Sequence, residues 1–203
     1  SPSPEAGDGV KPEENNGVEE SPRDPKVQTD VSAPLDDLRR EIADCNTCGL
    51  CKGRHHLVFG EGDPNADLMF IGEGPGAEED QSGRPFVGRA GQKLTEMIQA
   101  MQFSRESVYI ANIIKCRPPG NRNPTDREAA ACLPHLEKQI EIVRPKVIVL
   151  LGAVPLRHLL HKSGLTELHG QWVEYKSIPV MPTFHPAFLL RAPQRRRDTW
   201  EDL

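Results

Sequence analysis

Four short apolar runs stand out from an otherwise polar chain, at residues 68–72, 108–114, 147–151 and 178–184. Each is bounded by turn residues, the pattern of parallel strands buried on both faces. Between them apolar positions recur at helical spacing over about 89–102, 125–143 and 154–161. Earlier, Leu35, Leu38 and Ile42 mark a helix over 35–44. Strands alternating with helices predict an α/β fold, a parallel sheet covered by helices on both faces. In such sheets ligands gather at the carboxyl ends of the strands. That rule singles out residues 73–76, residues 115–123, the turn at Gly152 and residues 185–191.

The first 34 residues break this pattern. They are rich in Pro, Glu, Ser, Gly and Asn and nearly free of large apolar groups. Such a segment cannot bury enough surface to offset its ordering entropy, so residues 1–34 are expected to be a disordered acidic tail. Residues 35–203 are expected to form one domain. The tail also accounts for the formal charge: it holds eight acids and three bases, a net of −5, while the remainder carries 22 of each. A neutral domain still binds DNA if its bases cluster on one face. No stretch approaches the roughly 18 apolar residues of a membrane span, and the opening residues lack a secretory pattern. A cytoplasmic protein with no membrane partner is therefore expected, acting as a monomer.

Five cysteines at uneven spacing, with no export signal, point away from disulfides and toward metal or cluster ligation. Cys45 and Cys48 form a C-x2-C pair after the first helix; Cys116 closes the second strand and Cys132 lies on the helix that follows. Iron–sulfur clusters and structural zinc both use four thiolates, and buried free thiols would give the same spacing. Cys48 and Cys51 form a second C-x2-C pair, so spacing leaves the first two ligands open.

The strand exits carry further candidates. Gly72-Glu73-Gly74-Pro75-Gly76 lets backbone amides approach a ligand but lacks dinucleotide or P-loop spacing. Glu78 and Glu79 read as a solvated helix start. In residues 83–91 Phe86 stands among glycines, with Arg84 and Arg89 beside it, as a ring that could stack on a base near arginines that meet phosphates. Asn112, inside the second strand, offers a donor and an acceptor side by side. Uracil presents the complementary pair at N3–H and O4; cytosine presents it reversed. His185 could hydrogen-bond a developing anion. Behind it Leu189 and Leu190 could act as wedges in a base stack, and Arg191 as a phosphate contact.

As a set, these segments resemble the family 4 uracil-DNA glycosylases, over about Cys45 to the C-terminus. The carriers are Cys45-x2-Cys48, residues 72–76, residues 83–91, Asn112 through Lys115-Cys116-Arg117-Pro118-Pro119, Cys132, and His185-Pro186-Ala187-Phe188-Leu189-Leu190-Arg191. The resemblance implies a three-layer α/β/α sandwich around a four-stranded parallel sheet. It also implies a 4Fe–4S cluster on Cys45, Cys48, Cys116 and Cys132, with Cys51 spare. The implied activity is excision of uracil from DNA, leaving an abasic site. Glu73, Gly74 and Pro75 would then line the uracil pocket, Phe86 stack on the base, and Asn112 read its edge. Catalysis would fall to His185, stabilising the leaving anion, and to Glu73; DNA contacts would fall to Arg84, Arg89, Leu189 and Arg191. Other uracil glycosylases place a water-activating aspartate where this chain has Gly74. A related group self-links to DNA through an Arg-Arg-Ile-His insert, which the stretch after Cys116 lacks, so turnover is expected. DNA containing uracil is the implied partner, in a nucleoid setting.

Overall fold

The computed structural model describes residues 32–203. The expected tail lies outside them, except for residues 32–34, which open the first helix. In chain order the elements are α1 (Ser32–Glu41), β1 (Glu61–Gly62), β2 (Leu68–Gly72), α2 (Ala77–Ser82), α3 (Arg89–Ala100), β3 (Tyr109–Asn112) and α4 (Asp126–Val143). There follow β4 (Val147–Leu151), α5 (Ala153–Leu160), α6 (Leu165–Leu168), β5 (Val173–Tyr175), β6 (Ile178–Thr183), α7 (Pro186–Arg191) and α8 (Arg196–Asp202).

The four apolar runs form the centre of one sheet of order β1-β3-β2-β4-β6-β5. β2 pairs in parallel with β3 and β4, and β4 in parallel with β6. The expected four-stranded parallel sheet is therefore present, extended by two edge strands that the apolar pattern did not predict. β1 and β5 pair antiparallel at the two edges. They are two and three residues long, too short to show an alternation.

Side chains alternate across the sheet because successive Cβ atoms point to opposite faces. Met69 and Ile71 join Leu38 of α1, Leu136 of α4 and Leu159 of α5 in one core. Leu68 and Phe70 join Leu94 and Ile98 of α3 and Leu189 of α7 in the other. The result is helix, sheet, helix in three layers. Phe70 is fully buried, and truncating such a ring to alanine typically costs about 3–5 kcal/mol.

α4 shows how local sequence sets an element. Thr125 accepts from the Glu128 amide at 3.2 Å, and Glu128 Oε2 accepts from the Thr125 amide at 2.8 Å. This reciprocal cap satisfies two end amides and starts the helix where the loop that follows β3 ends. The order of β2, β3 and β4 reverses the winding direction beside β2, which opens a crevice at the carboxyl ends.

Candidate active site

A cavity of about 460 Å³ fills that crevice. Glu73, Gly74 and Pro75 line it from the β2 exit, Phe86 from the loop before α3, Ala90 from the first turn of α3, and Pro118, Asn121 and Arg122 from the loop after β3. His185, Ala187, Phe188 and Arg191 close it from the β6 exit. The β4 exit supplies Gly152 at φ +101°, where a Cβ would come within 3.0 Å of the His185 Cβ. A glycine there lets the histidine stand over the strand end.

Phe86 is a phenylalanine in left-handed backbone, φ 51°, a conformation that costs a non-glycine residue roughly 1–2 kcal/mol. Its ring is buried, yet it reaches the cavity with its centroid 5.8 Å from the His185 ring. The ring lies over Gly72: a Cβ there would stand 2.4 Å from Phe86 Cζ and 2.5 Å from Asn112 Oδ1. Asn112 itself is 2% exposed, and its Oδ1 is buried with no hydrogen-bond partner. It does not line the cavity; its Oδ1 lies over Gly72 beside the Phe86 ring, which does, and its backbone carbonyl accepts from Lys115 Nζ at 3.0 Å. Lys115 is wholly buried, bonds Gln139 Oε1 at 2.6 Å, and is pushed down to about 8 by burial.

His185 caps α7, accepting at Nδ1 from the Ala187 amide at 3.1 Å. A nitrogen that accepts carries no proton, so the neutral ring holds its hydrogen on Nε2. Burial, helped by Arg191, pushes its pKa down to about 4. The imidazole is thus a neutral donor at physiological pH. Glu73 is half-buried, and burial raises its carboxyl above the ordinary value.

Two acids belong to the site's frame, contrary to the solvated reading of Glu79. Its Oε1 accepts from the Val87 and Gly88 amides, both at 2.9 Å, and its Oε2 from the Gly76 amide at 3.1 Å. Glu78 is exposed as expected. Asp80 is 1% exposed and accepts from the His55 amide at 2.9 Å and from His55 Nδ1 at 2.6 Å, tying α2 to the cysteine loop. Arg122 on the cavity wall is held by both oxygens of Glu128, whose carboxyl it brings down to about 2. None of these ties shows in sequence spacing beyond the Thr125–Glu128 cap, because their partners are distant or are backbone amides.

The candidate DNA contacts divide. Arg191 is exposed at the cavity mouth and Arg89 is exposed at the first position of α3. Arg84 instead pairs with Glu61 at 2.8 Å, away from the cavity lining. Leu189 is 1% exposed and packs in the core, so the wedge reading does not hold for it. The helical turn that exposes Arg191 points Leu189 inward. Leu190 is half-buried.

All five cysteines are free thiols. Cys116 and Cys132 are buried in the core under the sheet, with Cys45 and Cys48 packed against the same group; Cys51 is not part of it. Burial pushes Cys132 up to about 11 and raises Cys116, with Cys48 acting on both from close by. Arg54 Nη1 donates to Cys116 Sγ at 3.4 Å, and the Lys115 amide to Cys132 Sγ at 3.3 Å. Among the described residues no three His, Cys, Asp or Glu side chains close around a single ion.

The profile of the uracil DNA glycosylase superfamily matches residues 59–203. The chain is 46% identical over 173 residues to a type-4 uracil-DNA glycosylase of Thermotoga maritima, covering 82% of this chain and 89% of that one. Identity to the type-4 uracil-DNA glycosylase of Sulfurisphaera tokodaii is 43% over 178 residues, 83% of this chain and 81% of that one. With the type-4 enzyme of Archaeoglobus fulgidus it is 41% over 177 residues, 83% and 89% of the two chains. Matched by the family profile over residues 59–203 and by these relatives over 82–83% of its length, the chain belongs to the uracil DNA glycosylase superfamily, and within it to the type-4 uracil-DNA glycosylases.

Proposed function

We propose that this protein hydrolyses the bond between uracil and deoxyribose in DNA, opening base excision repair. The observation that carries the reading is the orphaned, buried Asn112 Oδ1 beside the Phe86 ring that lines the cavity. A buried acceptor left unpaired costs roughly 1–3 kcal/mol. Uracil N3–H would pair with it, while the amide NH2 meets O4; cytosine presents the reversed pattern. Phe86 supplies the face on which the flipped ring stacks. Flipping itself costs a few kcal/mol, least for a mismatched base.

As the C1′–N1 bond breaks, positive charge grows on the sugar and negative charge on the base. His185 Nε2–H donates to the uracil oxygen as that charge develops, and a neutral imidazole does so without transferring a proton. Gly74 offers no carboxylate for water activation. A strongly electrophilic sugar cation, held beside the DNA phosphates, needs little of it. Uracil-containing DNA, single- or double-stranded, is the partner, read by a monomer in the nucleoid.

The four thiols Cys45, Cys48, Cys116 and Cys132 suit a 4Fe–4S cluster. They converge in one core, with N–H donors aimed at two sulfurs and Lys115 and Arg54 beside them. The cluster would cross-link the segments that bear it, with no part in the bond cleavage.

The test is single-turnover excision from a uracil-containing duplex, with the abasic product cleaved and counted. Asn112→Asp swaps the donor for an acceptor against O4, and the rate should fall by roughly a hundredfold or more. A folded Asn112→Asp protein that releases uracil at the parent rate would overturn the reading.

A further inference from the structure

We propose that Arg105 and Glu79 are positioning residues that together hold Phe86 in its left-handed conformation, presenting its ring to the base. The inference rests on the reading that Phe86 stacks on uracil. Phe86 cannot keep a positive φ by its own preference, so neighbouring groups must fix it. The two sides of its backbone are gripped by opposite charges. On the carbonyl side, Arg105 Nη2 donates to Pro85 O at 2.8 Å and Nη1 to Phe86 O at 3.0 Å. On the amide side, Glu79 accepts from Val87 and Gly88, both at 2.9 Å. These are charge-assisted bonds to consecutive peptide groups, stronger than neutral ones.

Arg105 is itself held. Its Nε donates to Glu61 Oε1 at 3.2 Å, Nη2 meets the same oxygen, and Nη1 donates to Thr95 Oγ1 at 3.2 Å. The edge strand β1, which carries Glu61, thereby anchors a loop of the cavity. α3 closes the remaining side: a Cβ on Gly91 would fall 1.9 Å from Phe86 O. The loop cannot relax without moving a helix, an ion pair or a carboxylate.

Arg105→Met, Arg105→Lys, Glu79→Gln, Phe86→Leu and the double variant Arg105→Met/Phe86→Leu of the full chain would be measured for inhibition by free uracil and for melting. Stacking on an aromatic ring sets the scale, so Arg105→Met and Glu79→Gln should each weaken uracil binding on the order of tenfold. Arg105→Lys keeps the charge and one carbonyl contact and should fall between. In the Phe86→Leu background Arg105→Met should change uracil binding by less than about twofold, since coupled residues are not additive. If Arg105→Met fails to fold, Arg105→Lys and Glu79→Gln decide alone. Parent uracil affinity in those folded variants, or an Arg105→Met effect undiminished by Phe86→Leu, would overturn the proposal. Parent affinity in Phe86→Leu would instead overturn the stacking reading on which it rests.

Discussion

On the proposed reading, His185 does two jobs through its two nitrogens. Nδ1 caps α7, which leaves Nε2–H free to act on the base. His185→Ala should therefore lower the single-turnover rate about a hundredfold or more, while loss of the cap costs only about 1 kcal/mol of stability. Measuring rate and melting on the same preparation separates the two. The pH dependence follows from the site. In the folded protein the ring binds a proton only near pH 4, against 6.5 for an unperturbed histidine. The unfolded chain therefore protonates first. The stability His185 contributes is full above about 6.5 and is lost as the pH falls toward about 4. The rate per folded molecule should hold down to about pH 4 to 5; an acid limb near 6.5 that disappears in His185→Ala would contradict the neutral-donor role.

At the scale of elements, the strand exits are close-fitted around glycines. Gly72→Ala places a methyl against Phe86 and Asn112. It should cost about 1–3 kcal/mol of stability and a disproportionate loss of excision, read as a rate drop in a protein that still melts cooperatively. The parallel strands and the longer helices were legible because continuous apolar runs and helical periods report burial directly. The edge strands were not, being too short for a period. The cavity was legible in its lining, since strand exits hold ligands in this architecture. Its frame was not: Glu79 read as a solvated acid, yet it binds three backbone amides, and Arg105 lies far along the chain from the carbonyls it holds. Leu189 was misread because its helical phase, settled by packing, turns it inward.

At the scale of the whole molecule, the cysteines join what the chain separates. Spacing left Cys45/Cys48 and Cys48/Cys51 equivalent; Cys45 and Cys48 pack against the core that holds Cys116 and Cys132, while Cys51 is near enough to act on Arg54 without joining that core. Cys116→Ala should lose iron and the absorbance near about 400 nm expected of an iron–sulfur protein, and should melt earlier, while Cys51→Ala keeps both. Bleaching of Cys51→Ala would refute this ligand set. The cavity wall at Pro118, Asn121 and Arg122 lies between Cys116 and Cys132 in the chain. On the proposed ligand set a cluster would anchor both ends of that wall, adding to the Arg122–Glu128 pair, the Arg117–Asn121 bond and the α4 cap. With the four thiols holding the proposed cluster, synthesis of the polypeptide would not by itself complete the enzyme. Maturation would wait on the delivery of iron, and a cell short of it would hold folded chains that recognise little. Its tolerance of cytosine deamination would then track its metal supply as closely as its gene expression.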